Sequence, residues 1–401
     1  MSQRPYFNST IEELEKLFEA TKGDAKALQT LLKELSSRNT KRAKKLRAKV
    51  EKQLAGSQAA PATAAAMTVA TKTAQYRLTP FVHAHNFSEV IAFCGEINAE
   101  SRTDIVCDAS DLQFVDPVGL CLLAATCHQL ARAGKKLRLE NVRPAIVDYL
   151  ARMDLFKACG IEYKENFTRY DRRSDLVEIC VADKAAEGEQ LASKIATTLV
   201  GAMPDYDPNA KPDEMTGFLP HEHLHVPLHY IFSELLENAL THAKRAGYRE
   251  ARTWVAAQYY PQLDRIRLAV LDNGCGLLHS LERHPNLTEK SHAAAIHLAF
   301  EARVTCNPDL EIRPNETANQ GIGLTVVREI VARGGGVLRL VSGDALVEQK
   351  GDKRPRTRPI TPWQGVVLAL EFKRELLRQV SVSQIIHELK RRPGPGGLRF
   401  E

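Results

Sequence analysis

Three short motifs in the second half of the chain contain polar residues whose types and spacing suit chemistry. In the first motif, Glu234, Asn238 and His242 recur every fourth residue and fall on one side of a predicted helix. An Asn oxygen can coordinate Mg²⁺, and a carboxylate one turn earlier can accept a proton from a water or hydroxyl beside it. A solvated polar face would explain this stripe equally well, so the motif alone does not decide.

The second motif places a carboxylate at the end of a predicted strand. An apolar run over 266–271 leads into Asp272, and Gly274 and Gly276 follow. A carboxylate at a strand end can accept a hydrogen bond from the exocyclic amine of adenine. Glycines let the backbone turn tightly and come close to the base. Taken alone, this pattern is also that of an ordinary turn.

The third motif is a glycine pair at the start of a predicted helix. Gly321 and Gly323 precede a helix expected from Leu324 to about Ala332. Backbone N–H groups at a helix start, beside flexible glycines, form a site for phosphate groups. One such pair is weak support by itself, because the pattern is common.

The order and spacing of the three motifs resemble those of a known superfamily. The pattern ExxxN is followed about 30 residues later by DxGxG and about 50 residues after that by GxGL. This sequence resembles the N, G1 and G2 boxes of the GHKL superfamily of gyrases, Hsp90-type chaperones, histidine kinases and MutL-type repair proteins. The resemblance implies ATP and Mg²⁺ as cofactors.

The resemblance also implies a role for each motif residue. Glu234 is the expected catalytic base, Asn238 the expected Mg²⁺ ligand and Asp272 the expected contact to adenine. The other expected nucleotide-binding residues are His242, Gly274, Gly276, Gly321, Gly323 and Leu324. His242 could instead simply cap its helix. Residues 277–320 would form a mobile lid, and the stretches GGGVLRLVSGDA and GVVLALEF would supply two closing strands.

An earlier part of the chain resembles a STAS domain, the fold of anti-sigma-factor antagonists. The resemblance rests on a strand, the Asp-x-x-Gly-Leu turn at Asp116–Leu120, and then a helix, a strand and a last helix. Phosphorylated members carry Ser-Ser inside that turn, where this chain has Pro117 and Val118. Because neither residue has a hydroxyl, phosphate cannot be added there. We therefore predict a docking or scaffold module.

These observations predict an α/β fold, with an α+β sandwich in the C-terminal domain and a small STAS-like domain in the middle. The predicted divisions are a basic helical hairpin arm over 1–55, a linker over 56–75, a STAS-like domain over 76–163, a GHKL ATP-binding domain over 164–375 and a tail over 376–401. In the arm, Ser9 with Glu12 is the expected helix start, and Gly23-Asp24 the expected break between two helices.

Charge and hydropathy limit the partners. Residues 1–56 hold 13 Lys and Arg against 7 Asp and Glu, so this segment accounts for the whole formal net charge of +6. Attraction to nucleic acid is therefore expected, if weakly, only from the arm. No apolar run approaches a membrane span, and no secretory signal opens the chain, which predicts a cytoplasmic location without membrane contact.

The expected function is a nucleotide-dependent regulator of bacterial type in signal transduction. It would be a slow ATPase or a Ser/Thr kinase acting on a protein partner docked through the STAS-like domain. A non-hydrolysing nucleotide sensor and an ATP-driven component of a defence system against mobile elements stay open, as does a homodimer. A histidine kinase is disfavoured because Pro220 and Pro227 should keep His221 off a regular helix. A gyrase-like clamp would need a second α/β domain after the pocket.

Overall fold

The chain forms two compact units, residues 1–71 and 72–401, in a computed structural model. The structure describes residues 9–21, 25–36, 38, 40–56, 73–169, 175–215, 217–245, 247–301, 304 and 321–391. Most of the predicted linker, and residues 302, 303 and 305–320 of the predicted lid, lie outside the described residues.

The described residues of the first unit form three helices rather than the predicted two. They are α1 Ile11–Ala20, α2 Ala25–Ser36 and α3 Lys41–Gly56. Thr10, not Ser9, caps α1, and it forms a capping box with Glu13. A third helix begins because the Thr40 hydroxyl accepts a hydrogen bond from the Ala43 N–H, a cap that the sequence reading missed. Leucines from all three helices share one core.

The second unit opens with alternating strands and helices. These are β1 Thr73–Arg77, β2 Phe81–Val82, α4 Phe87–Ala99, β3 Asp104–Asp108, β4 Phe114–Val115, α5 Pro117–Arg132, β5 Lys136–Glu140, α6 Pro144–Arg152 and α7 Leu155–Ala158. The strands β1, β3 and β5 form a parallel sheet in the order β1-β3-β5, while β2 pairs with β4. Parallel strands need helical crossovers, which α4 and α5 supply.

The rest of this unit is built around a larger sheet. Its elements are β6 Leu176–Ala182, α8 Gly188–Gly201, α9 Glu222–His242, β7 Thr253–Tyr260, β8 Arg265–Asp272, α10 Gly276–Leu281, α11 His292–Ala299, α12 Gly323–Arg333, β9 Val337–Lys350, β10 Arg356–Lys373, α13 Arg374–Leu377 and α14 Val382–Arg391. The sheet is antiparallel, in the order β6-β7-β8-β10-β9.

Strand β9 folds back on itself. Gly351 N–H donates to the Gly336 carbonyl at 2.7 Å, so the two ends of β9 lie side by side. The turn falls at Gly343, whose φ of 57° favours glycine. The first run of β9 pairs with the end of β10, and the second run pairs with the start of β10. The sequence predicted the two inner runs but not this additional outer hairpin.

Two helices of the STAS-like region lie between the two sheets. Helix α5 is buried nearly all round, as expected for a helix that is apolar on every side. One side packs on the small sheet, and the other packs on β7 and β8, while α4 packs on β10. Helices α8, α9 and α12 cover the opposite face of the large sheet. The result is a four-layered body with the order sheet, helices, sheet, helices.

The ATPase side extends past the predicted boundary at 375. Helix α14 places Val382, Ile385 and Leu389 in the core beside α12. Residues 392–401 of the predicted tail lie outside the described part of the chain. No helix among the described residues has the length and apolar character that a membrane crossing requires.

Candidate nucleotide-binding site

Helix α9 carries the first motif. It runs unbroken from Glu222 to His242 with Pro227 inside it, so Pro227 does not end the helix, while His221 lies just outside it at the N-cap. Pro227 is the sixth residue of α9, beyond the first four backbone N–H groups that lack an intrahelical acceptor, so the helix continues there with one hydrogen bond fewer. The described residues contain no group of three or more His, Cys, Asp or Glu able to hold a metal ion.

The Glu234 side chain is half-buried and faces the third motif. Burial raises the pKa of Glu234 above its usual value, and a hydrogen bond from the Tyr230 hydroxyl lowers it in part. A Cβ built on Gly323 would lie 1.7 Å from Glu234 Oε2. The carboxylate therefore occupies the space that only a glycine leaves open at the start of α12.

Asn238 lies one turn further along α9 and offers one free acceptor. Its side-chain Nδ2 donates to the Glu234 backbone carbonyl at 2.8 Å. This bond orients the amide and leaves Oδ1 without a donor among the described residues. An amide oxygen held in this way is a suitable ligand for a hard cation such as Mg²⁺.

His242 ends the polar stripe, but it carries no charge at neutral pH. Burial lowers the pKa of His242 to about 4, and the nearby Arg245 lowers it further. The imidazole is therefore neutral in the free protein. It can offer a hydrogen bond to a ligand, but it cannot supply a positive charge to a phosphate.

Asp272 ends β8 as predicted, and its side chain is only 3% exposed. Its carboxylate accepts hydrogen bonds from the backbone N–H of Gly274, at 2.8 Å, and of Val366. Burial nevertheless raises the pKa of Asp272 to about 7. A buried acid with this pKa gains a partner when a ligand brings a hydrogen-bond donor to it.

The glycines of the second motif are required by close backbone contacts. A Cβ on Gly274 would lie 2.2 Å from the Ala243 carbonyl oxygen, just after α9. Gly276 has a φ of 73°, which other residues rarely adopt. The turn that follows Asp272 is therefore pressed against the end of α9.

Strand β10 fixes this turn from the other side, which the sequence reading missed. The Trp363 indole N–H donates to the Asp272 carbonyl at 3.3 Å, and Gln364 Nε2 donates to the Asn273 carbonyl at 3.0 Å. Gly365 has a φ of 100°, and a Cβ there would lie 2.2 Å from the Asp272 carbonyl oxygen. The only signal in the sequence was a lone glycine before an apolar run.

The three motifs meet along α9. Gly323 contacts Glu234 near the middle of the helix, and Gly274 contacts Ala243 at its end. These two points are nine residues apart, or about 14 Å along the helix axis. Asn238 lies between them. This places an amide oxygen between a glycine-rich helix start and a buried carboxylate, an arrangement that would suit a nucleoside triphosphate.

The remaining two predicted residues flank the third motif. Gly321 has a φ of 78°, so it needs to be glycine. Leu324 is half-buried and packs against the core of the large sheet. It therefore fixes the start of α12 through apolar contact, and its side chain has no polar atom to offer a ligand.

Comparison with protein families agrees with this geometry. A family model described as histidine kinase-, DNA gyrase B-, and HSP90-like ATPase matches residues 224–359, and the STAS domain model matches residues 27–166. The chain carries a STAS domain followed by a GHKL ATPase domain. Comparisons with curated proteins and with solved structures found no match.

The GHKL domain implies nucleotide binding, usually with Mg²⁺. The side chains present fit such a ligand, because they offer a free amide oxygen at Asn238, a buried acid at Asp272 and glycines at both turns. A GHKL domain together with a STAS domain supports an ATP-binding regulatory protein.

In the STAS domain, the position of the family's phosphorylated serines is closed. Asp116 is 1% exposed and caps α5, accepting from the N–H groups of Gly119 and Ala84 at 3.0 Å each. Val118 is buried, and a Cβ on Gly119 would lie 2.2 Å from the Val82 carbonyl oxygen. Burial as well as residue type therefore prevents phosphorylation at this turn.

Replacing Gly323 with Ala should weaken ATP binding by about tenfold while hardly changing thermal stability. The new methyl group would push the Glu234 carboxylate away, and a flexible side-chain end can move at small cost. Alanine at a helix start is otherwise favourable. Calorimetric titration with Mg-ATP and a melting curve would measure both effects.

The matched control is Gly201→Ala at the end of α8, where a Cβ would meet no atom within 4 Å. It should leave the affinity unchanged. A Gly323→Ala variant with wild-type affinity would show that the third motif lies outside the binding site.

Proposed function

We propose that this chain is an ATP-dependent switch whose GHKL site binds Mg-ATP and turns it over slowly, by hydrolysis or by transfer to a protein partner. The observation that carries the proposal is that all three motifs meet at α9. The helix itself bears Glu234 and Asn238, and Gly323 packs on the Glu234 carboxylate. The turn after Asp272 contacts the end of the helix. Nothing in this arrangement depends on the STAS domain as a substrate.

Each residue has one task in this proposal. The Asn238 amide oxygen holds Mg²⁺, which neutralises charge on the triphosphate. The Asp272 carboxylate accepts a hydrogen bond from the adenine amine. Glu234 takes the proton of the attacking water or hydroxyl, and its raised pKa brings it closer to the working pH of a general base.

The STAS domain would act as a fixed frame for a partner and not as a phosphate acceptor. Two of its helices are held against the large sheet, so a partner would dock on sides that the sheet leaves free, such as the exposed strand β5.

On the ATPase side, the Leu277 N–H donates to Ser342 Oγ in β9, which links the start of the predicted lid to the sheet. Nucleotide occupancy would change the lid and thereby what the partner meets.

Phosphate release separates turnover from sensing. Replacing Glu234 with Ala should lower the steady-state rate of phosphate release by roughly 10²- to 10⁴-fold, as loss of a general base does. ATP affinity should change much less. The matched control is Glu237→Ala, because Glu237 is exposed on the same helix and should not affect the rate.

Two other outcomes would change the assignment. If wild type and Glu234→Ala both bind ATP and release phosphate at the background rate, the chain is a non-hydrolysing sensor. If radiolabel from the γ-phosphate appears on a co-purified protein and is lost in Glu234→Ala, transfer to a partner is the reaction. Failure of wild type to bind ATP at millimolar Mg²⁺ would remove the proposal altogether.

A further inference from the structure

The turn between β9 and β10 is strongly basic. Residues 350–358 contain five cations against one acid, Asp352. The cations are Lys350, Lys353, Arg354, Arg356 and Arg358, and all of them are exposed. The balanced charge of the body as a whole therefore conceals a local concentration of positive charge, which the sequence analysis assigned only to the arm.

Most of this charge is not neutralised inside the protein. Glu348 is shared between Arg339, at 2.7 Å, and Lys350, at 3.3 Å. Within the part of the chain that the structure describes, no ion pair involves Lys353, Arg354, Arg356 or Arg358. Four guanidinium or ammonium groups thus face solvent beside one another.

Residues 350–358, the basic hairpin, form a concave surface, and the part that belongs to β10 pairs regularly with β9. A surface depression of about 510 Å³ is lined by Lys350, Pro355 and three further residues of this segment, Lys353, Arg354 and Arg356, together with Glu348. Arg356 and Arg358 lie on one side of β10 because alternate residues of a strand share a face, and they are about 7 Å apart. Their partners in β9 are Glu348 and Leu346. The cations therefore form a row along a fixed backbone.

We propose that this basic hairpin binds the phosphate backbone of double-stranded nucleic acid. Guanidinium groups match phosphate oxygens in paired hydrogen bonds. A row of cations along a strand suits a row of phosphates, and phosphate contacts need no apolar anchor.

The composition of the hairpin argues against other occupants. A stable protein interface needs a buried apolar or aromatic centre, and insertion into a lipid surface needs apolar side chains. Apart from Pro355, residues 350–358 contain no apolar side chain. Single strands are bound by stacking bases on aromatic rings, and this segment has none. A duplex requires only cations spaced along its phosphate backbone, and the hairpin provides them.

The hairpin lies apart from the turn after Asp272, although Thr357 Oγ1 lies 2.7 Å from His297 Nε2 in α11, within the predicted lid. Gly351 is hydrogen-bonded to Gly336 at the start of β9, whereas Ser342, six residues along the same run, contacts the turn that follows Asp272. The inference therefore goes beyond the proposed ATP-dependent function and does not depend on it.

Fluorescence anisotropy of labelled duplexes would test the hairpin in the full-length chain. The probes are 20-base-pair DNA and RNA duplexes of arbitrary sequence, titrated between 50 and 200 mM KCl. About four phosphate contacts predict a salt slope near −3.6 on logarithmic axes and a loss of roughly 100-fold over this range. The double variant Arg356→Gln/Arg358→Gln should reduce the slope by about 1.8 units.

The matched control removes two charges elsewhere. Lys211 and Arg249 are exposed, so Lys211→Gln/Arg249→Gln changes the net charge equally and should keep the wild-type slope. Unchanged binding by the hairpin variant, or no binding of either duplex by wild type, would overturn the proposal. Equal competition by a polyglutamate peptide would also overturn it, in favour of an acidic protein partner. Loss of affinity in the hairpin variant alone supports it.

Discussion

Replacing Asp272 with Asn should weaken ATP binding by roughly 10- to 100-fold. A hydrogen bond to an ionised group contributes about 1.5 to 3 kcal/mol, and this carboxylate is buried where water cannot replace it. The amide keeps the shape of the side chain, so the turn at Gly274 should survive. Calorimetric titration with Mg-ATP measures the change directly.

Comparing ATP with GTP tests the contact between Asp272 and the base more directly than ATP affinity alone. Guanine has a carbonyl where adenine has its amine, so the Asp272 carboxylate should reject GTP, whereas an amide can donate to it. Asp272→Asn should therefore lose ATP affinity but lose little GTP affinity. The control is Asp344→Asn in the exposed turn of β9, which should leave both unchanged. Equal losses for the two nucleotides would mean that Asp272 does not contact the base.

The same carboxylate should make ATP binding pH-dependent. With a pKa of about 7, Asp272 is mostly protonated at pH 6 and mostly ionised at pH 8. The ionised form is the stronger acceptor for the adenine amine, because a charge-assisted hydrogen bond is about twice as strong as a neutral one, so affinity should rise by up to about tenfold between these values. Asp272→Asn should show no such rise. A flat wild-type profile would argue against adenine recognition by this residue.

Folding stability should move in the opposite direction over this range. The pKa of about 7 for Asp272 in the folded protein lies above the usual value of 3.8, so between pH 3.8 and pH 7 the folded state binds more protons than the unfolded state. The contribution of Asp272 to stability is therefore present at low pH and is lost as the pH rises toward 7. Buried hydrogen bonds from Gly274 and Val366 limit the size of this loss.

The sequence predicted the elements that local pattern determines. The strand ending at Asp272, the helix bearing Glu234 and the helix after Gly323 all occur close to the expected positions. In each element, apolar residues recur at the spacing of a helix or strand, and this spacing also fixes where the polar residue lies. Such signals can be read without tertiary information. The two domain families were identified for the same reason, because their motifs are short and local.

Contacts between distant segments could not be predicted in this way. The hydrogen bonds from Trp363 and Gln364 to the turn after Asp272 join residues 91 positions apart, and nothing in the local pattern marks them. The unbroken passage of α9 through Pro227 is a similar case. Its local signal indicated a break, but burial of Leu224 and Leu228 in the core holds the helix together.

The relation between the two domains was the largest omission from the sequence reading. A helix that is apolar all round, such as α5, indicates burial on every side but does not say against what. Its second partner is the outer face of the ATPase sheet, with Trp254 and Ala256 from β7 and Leu271 from β8. The STAS domain is therefore packed on the ATPase sheet through a shared core.

This packing predicts that the two domains unfold together. Trp254 is 1% exposed, and its ring lies 5.5 Å from that of His128 in α5. Truncating it to Ala should cost about 3 to 5 kcal/mol, because a large cavity opens between the domains. The lost stability should appear in both domains, since they share one core. Urea unfolding and hydrogen exchange would measure it.

Two probes distinguish shared from separate unfolding. Trp363 is the remaining tryptophan in Trp254→Ala, and its fluorescence reports on the ATPase sheet. Amide exchange of β3, at Ile105 and Cys107, reports on the STAS domain. Both should shift to lower urea by the same amount, whereas Phe218→Ala, at a 48% exposed position, should shift neither. Protected β3 amides after Trp363 has become exposed would show that the STAS domain folds alone. In that case a conformational change at the nucleotide site could not pass through a rigid shared core to a partner on the STAS domain. It could pass only through a flexible connection between the domains.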